Sequence, residues 1–144
     1  MRAVIQRVSH ACVKVETKTI GSIEKGYLIL LGVTDSDTKE DVQRIVKKLV
    51  NLRIFSDEND KINLSIQDVK GSILVVSQFT LYADCKKGNR PSFVNAASKE
   101  LANSLYEYFI EECKKTISNV QHGSFGAHME VSLINDGPFT IILD

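Results

Sequence analysis

Neither sign of charge is in surplus: 18 Lys and Arg stand against 18 Asp and Glu, so the formal net charge is zero. Global attraction to nucleic acid or to an anionic membrane is thereby excluded. A local basic patch is not, because fields depend on arrangement as well as totals. Cysteine is scarce. Cys12, Cys85 and Cys113 are widely spaced and form no CxxC pair, which excludes a thiol–disulfide motif or a zinc ribbon and reads as reduced thiols. No apolar stretch approaches the roughly 20 residues that span a bilayer. Residues 1–16 alternate instead of forming the continuous apolar run of a signal peptide. Repeats, low-complexity tracts and linker-like stretches are missing too. A soluble, cytoplasmic protein with no membrane partner is the expectation.

What is present suits one domain over residues 1–144. The chain is 43% hydrophobic and 25% charged, ordinary globular usage, and a chain this size buries roughly 68–70% of its extended surface. Residues 1–17 read as two strands with a turn at Ser9 and His10, since Val13 and Val15 alternate with polar neighbours. GYLILLG (26–32) is a glycine-bounded apolar run that favours a central strand. Asp37 and Glu40 resemble a capping box, and Val42, Ile45, Val46 and Leu49 fall on one face of a helix over about 38–50. LRIF (52–55) and INLS flank a polar turn as a short antiparallel pair. SILVVSQFTLY (72–82) is the strongest strand signal, with a polar, functional-looking end. A positively charged loop (83–92) precedes a long helix over 95–116, in which Cys113 reads as a core thiol. HGSFGAHM (122–129) reads as irregular. Two further strands follow, with NDGP (135–138) as the turn between them. The whole predicts an α/β fold: a compact, β-barrel-like mixed sheet with two packed helices.

The usual catalytic signatures are absent. Ser77, Thr80 and Ser124 offer hydroxyls and His10, His122 and His128 offer bases, yet no G-x-S-x-G elbow exists. There is no H-E-x-x-H, phosphate loop or dinucleotide fingerprint, and no compelling zinc ligand set. Lys86, Lys87 and Arg90 form an anion-binding candidate, which Arg2 and Arg7 would widen if the first strand lies nearby, or else a solvated loop. Asp136-Gly137-Pro138 is the remaining oddity. Asp-Gly favours a turn, and proline lacks a backbone donor, which restricts it to a sheet edge or strand start. About 5–6% of such bonds in folded proteins are cis. A cis bond here would turn two neighbouring carbonyls toward a ligand.

With SQFTL at 77–81 and NDGPFT at 135–140, together with MRAVIQRV, KKGNRPSF and FGAHMEV, essentially the whole chain resembles the D-aminoacyl-tRNA deacylase family, Gly-cisPro type. Asp136 and Phe139 stand where the family pattern has smaller residues; Gly137 and Pro138 are retained. The resemblance implies a hydrolase that cleaves the ester of D-aminoacyl-tRNA, and also removes glycine from mischarged alanine tRNA. It implies a homodimer with active sites at the interface, Gly137 and Pro138 of one subunit reaching into the other's pocket. Backbone carbonyls there would reject the L side chain. No cofactor, metal or DNA partner is implied. Ser77, Gln78, Phe79 and Thr80 would line the adenosine and ester pocket, with Thr80 positioning substrate or water, or else acting as nucleophile. Met129, Phe125 and Gly126 would shape its wall, and Lys86, Lys87 and Arg90 would meet tRNA phosphates. Three other readings stand beside this one. The first is a non-catalytic RNA-binding module that uses the basic loop and the aromatics Phe79, Tyr82 or Phe93. The second is a conventional Ser/Thr esterase. The third is a structural dimerisation protein.

Overall fold

The glycine-bounded run becomes β3 (Gly26–Gly32), and its continuous apolarity has a direct cause: both of its faces are buried. A computed structural model describing all 144 residues places Tyr27, Ile29 and Leu31 in a large core beneath the helices. Leu28 enters a smaller core on the opposite face. The strand beside it, β6 (Ser72–Ser77), runs parallel and divides its residues the same way, Ile73 and Val75 to one core and Leu74 and Val76 to the other. Each such fully buried aliphatic side chain contributes about 1.5–3 kcal/mol relative to exposure.

One strand, β1 (Arg2–Val15), organises the rest. Its first half pairs antiparallel with β3 and its second half with β2 (Lys18–Ile23). The opposite edge of β1 pairs with β8 (Glu130–Leu143) along nearly its whole length. The short β7 (Val120–His122) extends the sheet beyond β6. The barrel nearly closes where β2 meets β7: Gly21 lies so near the His122 carbonyl oxygen that a Cβ would stand 2.9 Å from it. Two helices, α1 (Lys39–Asn51) and α2 (Lys99–Lys114), cover the large core, and β4 (Arg53–Ser56) pairs with β5 (Ile62–Ser65) as a separate ribbon. The fold is thus a mixed α/β one, a nearly closed barrel-like sheet with two packed helices. Cys113 is fully buried in α2, and burial pushes its thiol up to about 12.

Four local expectations change. Residues 1–17 are not two strands. β1 is continuous: it changes from the large core (Ala3, Ile5) to the small one (Val8, Ala11, Val13) at Gln6 and Arg7, and Ser9 and His10 lie within the strand beyond that change. The strand expected over 72–82 stops at Ser77 and becomes a 3₁₀ turn (Phe79–Tyr82), because β3 ends at Gly32 and the chain folds over that glycine. The N-cap of α1 is Thr38, one residue later than expected, with its amide donating to Asp41 Oδ2 (2.9 Å). Asp37 instead accepts from the Thr34 amide and pairs with the ammonium of Met1. Finally, NDGP does not separate two strands. It lies inside β8 as an outsized bulge: Gln6 of β1 pairs with Thr140 while Val8 pairs with Asn135, so residues 136–139 are extruded from the ladder. No helix is long and apolar enough to cross a membrane.

Candidate functional site

At the end of β6 the chain leaves the sheet under tight control. The Gln78 amide donates to the Leu31 carbonyl (2.8 Å), and Leu81 and Ala83 amides close the turn onto Gln78 and Thr80. Gly32 lies beneath; a Cβ there would stand 3.0 Å from Leu81 Cβ. Arg2 holds the far side, Nη1 donating to the Leu81 carbonyl (3.0 Å) with the guanidinium 5.2 Å from the Tyr82 ring centroid. Within the turn, Gln78 Nε2 donates to Thr80 Oγ1 (2.5 Å). Phe79 is 54% exposed and meets Phe93 edge-on, ring centroids 5.0 Å apart at 72°.

Beside this turn opens a cavity of about 670 Å³, of the size that takes a small organic ligand. Ser77, Gln78 and Phe79 form one wall, and Phe125, Gly126 and Met129 face it. Leu31, Val33, Val76 and Val131 add apolar lining, and Phe93, Ala96, Ala97, Lys99, Ala102 and His128 also line the cavity. The wall at 123–129 is fixed from below. Tyr106 of α2 donates from its hydroxyl to the Val75 carbonyl (3.0 Å), with the Gly123 carbonyl at 3.5 Å. Burial pushes that phenol up to about 12, so it remains a donor at neutral pH. Its ring lies 5.9 Å from that of Phe125. The Ser124 amide reaches Met129 Sδ at 3.4 Å, and Gly126 takes a left-handed φ of 77° that allows the loop to reverse.

The extruded segment of β8 is equally well held. Arg7 donates from Nε to the Asp136 carbonyl (2.9 Å) and from Nη1 to the Ile54 carbonyl (2.6 Å), and its guanidinium lies 4.6 Å from the Phe139 ring centroid. Asn135 spans the bulge. Its Oδ1 accepts from the Phe139 amide (2.7 Å) and its Nδ2 donates to the Phe139 carbonyl (3.0 Å). A Cβ at Gly137 would collide with the Phe139 amide nitrogen. The Gly137–Pro138 bond is cis. Gly137 and Pro138 are exposed at the tip of this rigid projection.

The expected residues therefore fall into three groups. Ser77, Gln78, Phe79, Phe125, Gly126 and Met129 share one cavity, with Thr80 attached to it through Gln78. Gly137 and Pro138 do not line that cavity in their own chain. Lys86, Lys87 and Arg90 are exposed on the 83–92 loop, and their side chains make no ion pair or hydrogen bond within the chain. No histidine is hydrogen-bonded to Ser77, Thr80 or Ser124, and no three His, Cys, Asp or Glu side chains gather as a metal-binding group. Sequence reasoning missed Arg7 and Asn135 as the supports of the bulge. It also missed Ala96, Ala97 and Ala102 as cavity walls. Arg7 and Asn135 carried a signal only in the odd NDGP motif they serve; the alanines carried none.

The family model described as D-Tyr-tRNA(Tyr) deacylase matches residues 4–144. The chain is 57% identical to a D-aminoacyl-tRNA deacylase of Thermosipho africanus (strain TCF52B), over all of this chain and 97% of that protein. It is 59% identical to another of Clostridioides difficile (strain 630), with the same coverage. Among solved structures, one described as a c-Myc DNA unwinding element binding protein superposes with a TM-score of 0.94 at 42% identity, covering 100% of this chain and 98% of that one. One described as a probable eukaryotic D-amino acid tRNA deacylase shares the fold, with a TM-score of 0.85 at 19% identity over 99% of this chain and 97% of its own.

Proposed function

Because this chain belongs to the D-aminoacyl-tRNA deacylase family, whose activity is ester hydrolysis of D-aminoacyl-tRNA, we propose that it proofreads by handedness in a pocket completed by a second copy of itself. The observation that carries this reading is the split site. The cavity lies open beside Ser77–Phe79, while an exposed projection at Gly137 and Pro138 stands outside that cavity in the same chain. A homodimer with active sites at the interface unites them, main-chain oxygens of the projection standing beside the substrate's α-carbon.

D- and L-aminoacyl esters differ only in which of two α-substituents is the side chain. Where amine and ester are fixed, the D side chain leaves toward solvent and the L side chain meets the carbonyls. Exclusion by main chain imposes little on side-chain identity, so many D-amino acids are accepted. Glycine has nothing to exclude, so glycyl-tRNA, including that mischarged on alanine tRNA, is cleaved too. Such discrimination demands accurate placement, which Arg7 and Asn135 supply. Hydrolysis further needs an oriented water and donors for the tetrahedral oxyanion. The Phe79 and Thr80 amides open the 3₁₀ turn and have no acceptor inside it. The Gln78 side-chain amide and the Thr80 hydroxyl position substrate or water. The terminal ribose 2′-hydroxyl assists, which fits a protein without a catalytic triad. Met129, Phe125 and Gly126 hold the adenine and aminoacyl groups, and Lys86, Lys87 and Arg90 meet tRNA phosphates. The proposed compartment is the cytoplasm, with no membrane or DNA partner and no cofactor.

The test compares deacylation of matched D-, L- and glycyl-tRNA by the purified protein. Release from the D and glycyl substrates with the L form spared is expected. Efficient cleavage of both enantiomers would sink the proposal.

A further inference from the structure

Seven large hydrophobic residues are exposed, and five are aliphatic. The two aromatics, Phe79 and Phe93, are in contact with each other at the mouth of the cavity. Phe93 remains 41% exposed after this contact. An edge-on contact covers only part of each ring, and both rings stay exposed to solvent beside it. The loop that delivers Phe93 is closed at its base by two hydrogen bonds between Asp84 and Ser92, of 2.8 and 2.9 Å. Phe93 therefore leaves a fixed point directly toward Phe79, while Lys86, Lys87 and Arg90 ride on the loop beyond. Asp84 spends its carboxylate on the Lys86 amide (2.9 Å), not on a lysine ammonium. Along residues 86–97 the chain carries three unpaired cations, then an exposed aromatic ring, then two alanines that line the cavity.

That order matches a single strand of nucleic acid threading by its end: phosphates on the cations, a base on the ring, the terminal residue in the cavity. Single-stranded RNA ends are recognised in this way, by splayed bases stacked on aromatic side chains. We propose that Phe93, buttressed by Phe79, is a stacking subsite for the nucleobase preceding the terminal adenosine of the tRNA 3′ end. The inference rests on the aminoacyl-tRNA reading above and deepens it. Phe93 grips the acceptor end and sets how the terminal nucleotide enters, and the ester chemistry is left to the 77–80 segment.

The test is a binding cycle with uncharged tRNA, which needs no hydrolysis. Wild-type protein and Phe93→Ala are each titrated with intact tRNA and with tRNA made abasic at the penultimate nucleotide. The abasic change is expected to weaken wild-type binding about tenfold, and Phe93→Ala to weaken intact tRNA by a similar factor. The two losses together are expected not to add, since both remove one contact. Phe93→Tyr should restore binding, Phe93→Leu should not, and the coupling should persist as salt rises while total affinity falls through the loop cations. Additive losses, an abasic tRNA that binds the wild-type protein as well as intact tRNA, or no tRNA binding at all would overturn the subsite. Deacylation is assayed in parallel. Coupling without D-aminoacyl-tRNA hydrolysis would defeat the deacylase reading and leave the subsite standing. Hydrolysis without coupling would do the reverse.

Discussion

Arg7 holds the extruded segment of β8 in place from outside the cavity. Its guanidinium fork joins two main-chain carbonyls from different parts of the molecule, Ile54 and Asp136, and stacks on Phe139. Lysine offers a compact ammonium and cannot reproduce that fork. Arg7→Ala is expected to lower kcat/KM on D-aminoacyl-tRNA by about 10–100-fold, because a displacement of about 1 Å at a reacting centre costs on that order. It should also narrow the preference for D over L, and Arg7→Lys should not rescue either effect. Initial rates on matched enantiomers measure both. Thr80 bears the opposite expectation. Its hydroxyl accepts from Gln78 and has no histidine partner to activate it. Thr80→Ala should therefore retain activity within a few-fold of the wild type. A loss of several orders of magnitude would instead mark it as the nucleophile.

At the level of elements, α1 depends on how it begins. The Thr38 amide donates to Asp41 Oδ2, and this bond, first among the causes, holds the Asp41 carboxyl below its ordinary value of 3.8. A folded-state value below the unfolded one stabilises the protein above the unfolded value, and the contribution fades as pH falls through the folded one. Asp41→Asn keeps an acceptor for the Thr38 amide but removes the charge, and is expected to cost about 0.5 kcal/mol at pH 7, the scale of one carboxylate in the first helical turn. The gap should shrink below about pH 4 as the wild-type carboxyl protonates, read by urea unfolding at pH 7 and pH 3. The reading of 72–82 as one strand failed at this same scale. Apolar alternation continues past Ser77, but the neighbouring strand ends at Gly32 and supplies no further ladder. The chain then takes the 3₁₀ turn that Gly32 leaves room for. Ending the sheet there exposes Gln78 and Phe79 to the cavity.

For the molecule as a whole, the telling feature is β8. It occupies an edge of the sheet, and Ile134 and Ile142 are each 61% exposed on its outer face, with Val4 of β1 paired beside Ile142. Long edges of this kind are covered in functioning proteins. A two-fold interface there would bury these side chains and offer each projection to the other cavity. Met129, just before the strand, and Val131, at its start, already line that cavity. Ile134→Glu combined with Ile142→Glu is expected to leave a folded monomer by sedimentation, with deacylation reduced by at least about 100-fold, the scale of losing a group that positions the reacting centre. An active monomer would refute the shared site.

Local chemistry determined much of this protein. Glycine-bounded apolar runs set β3 and the start of β6, since a strand buried on both faces must be apolar throughout. A helical stripe set α1, SQFTL marked one wall of the cavity, and NDGPFT marked the segment that projects from β8. Tertiary structure alone decided that Ser9 and His10 lie within one continuous strand that serves two cores, not in a turn. It alone decided that residues 136–139 bulge from a continuous strand and that Arg7, remote in sequence, fixes them. Alternation records which face of a strand is buried, but not which core receives it. Nor does a lone arginine reveal which carbonyls the fold will bring to its donors.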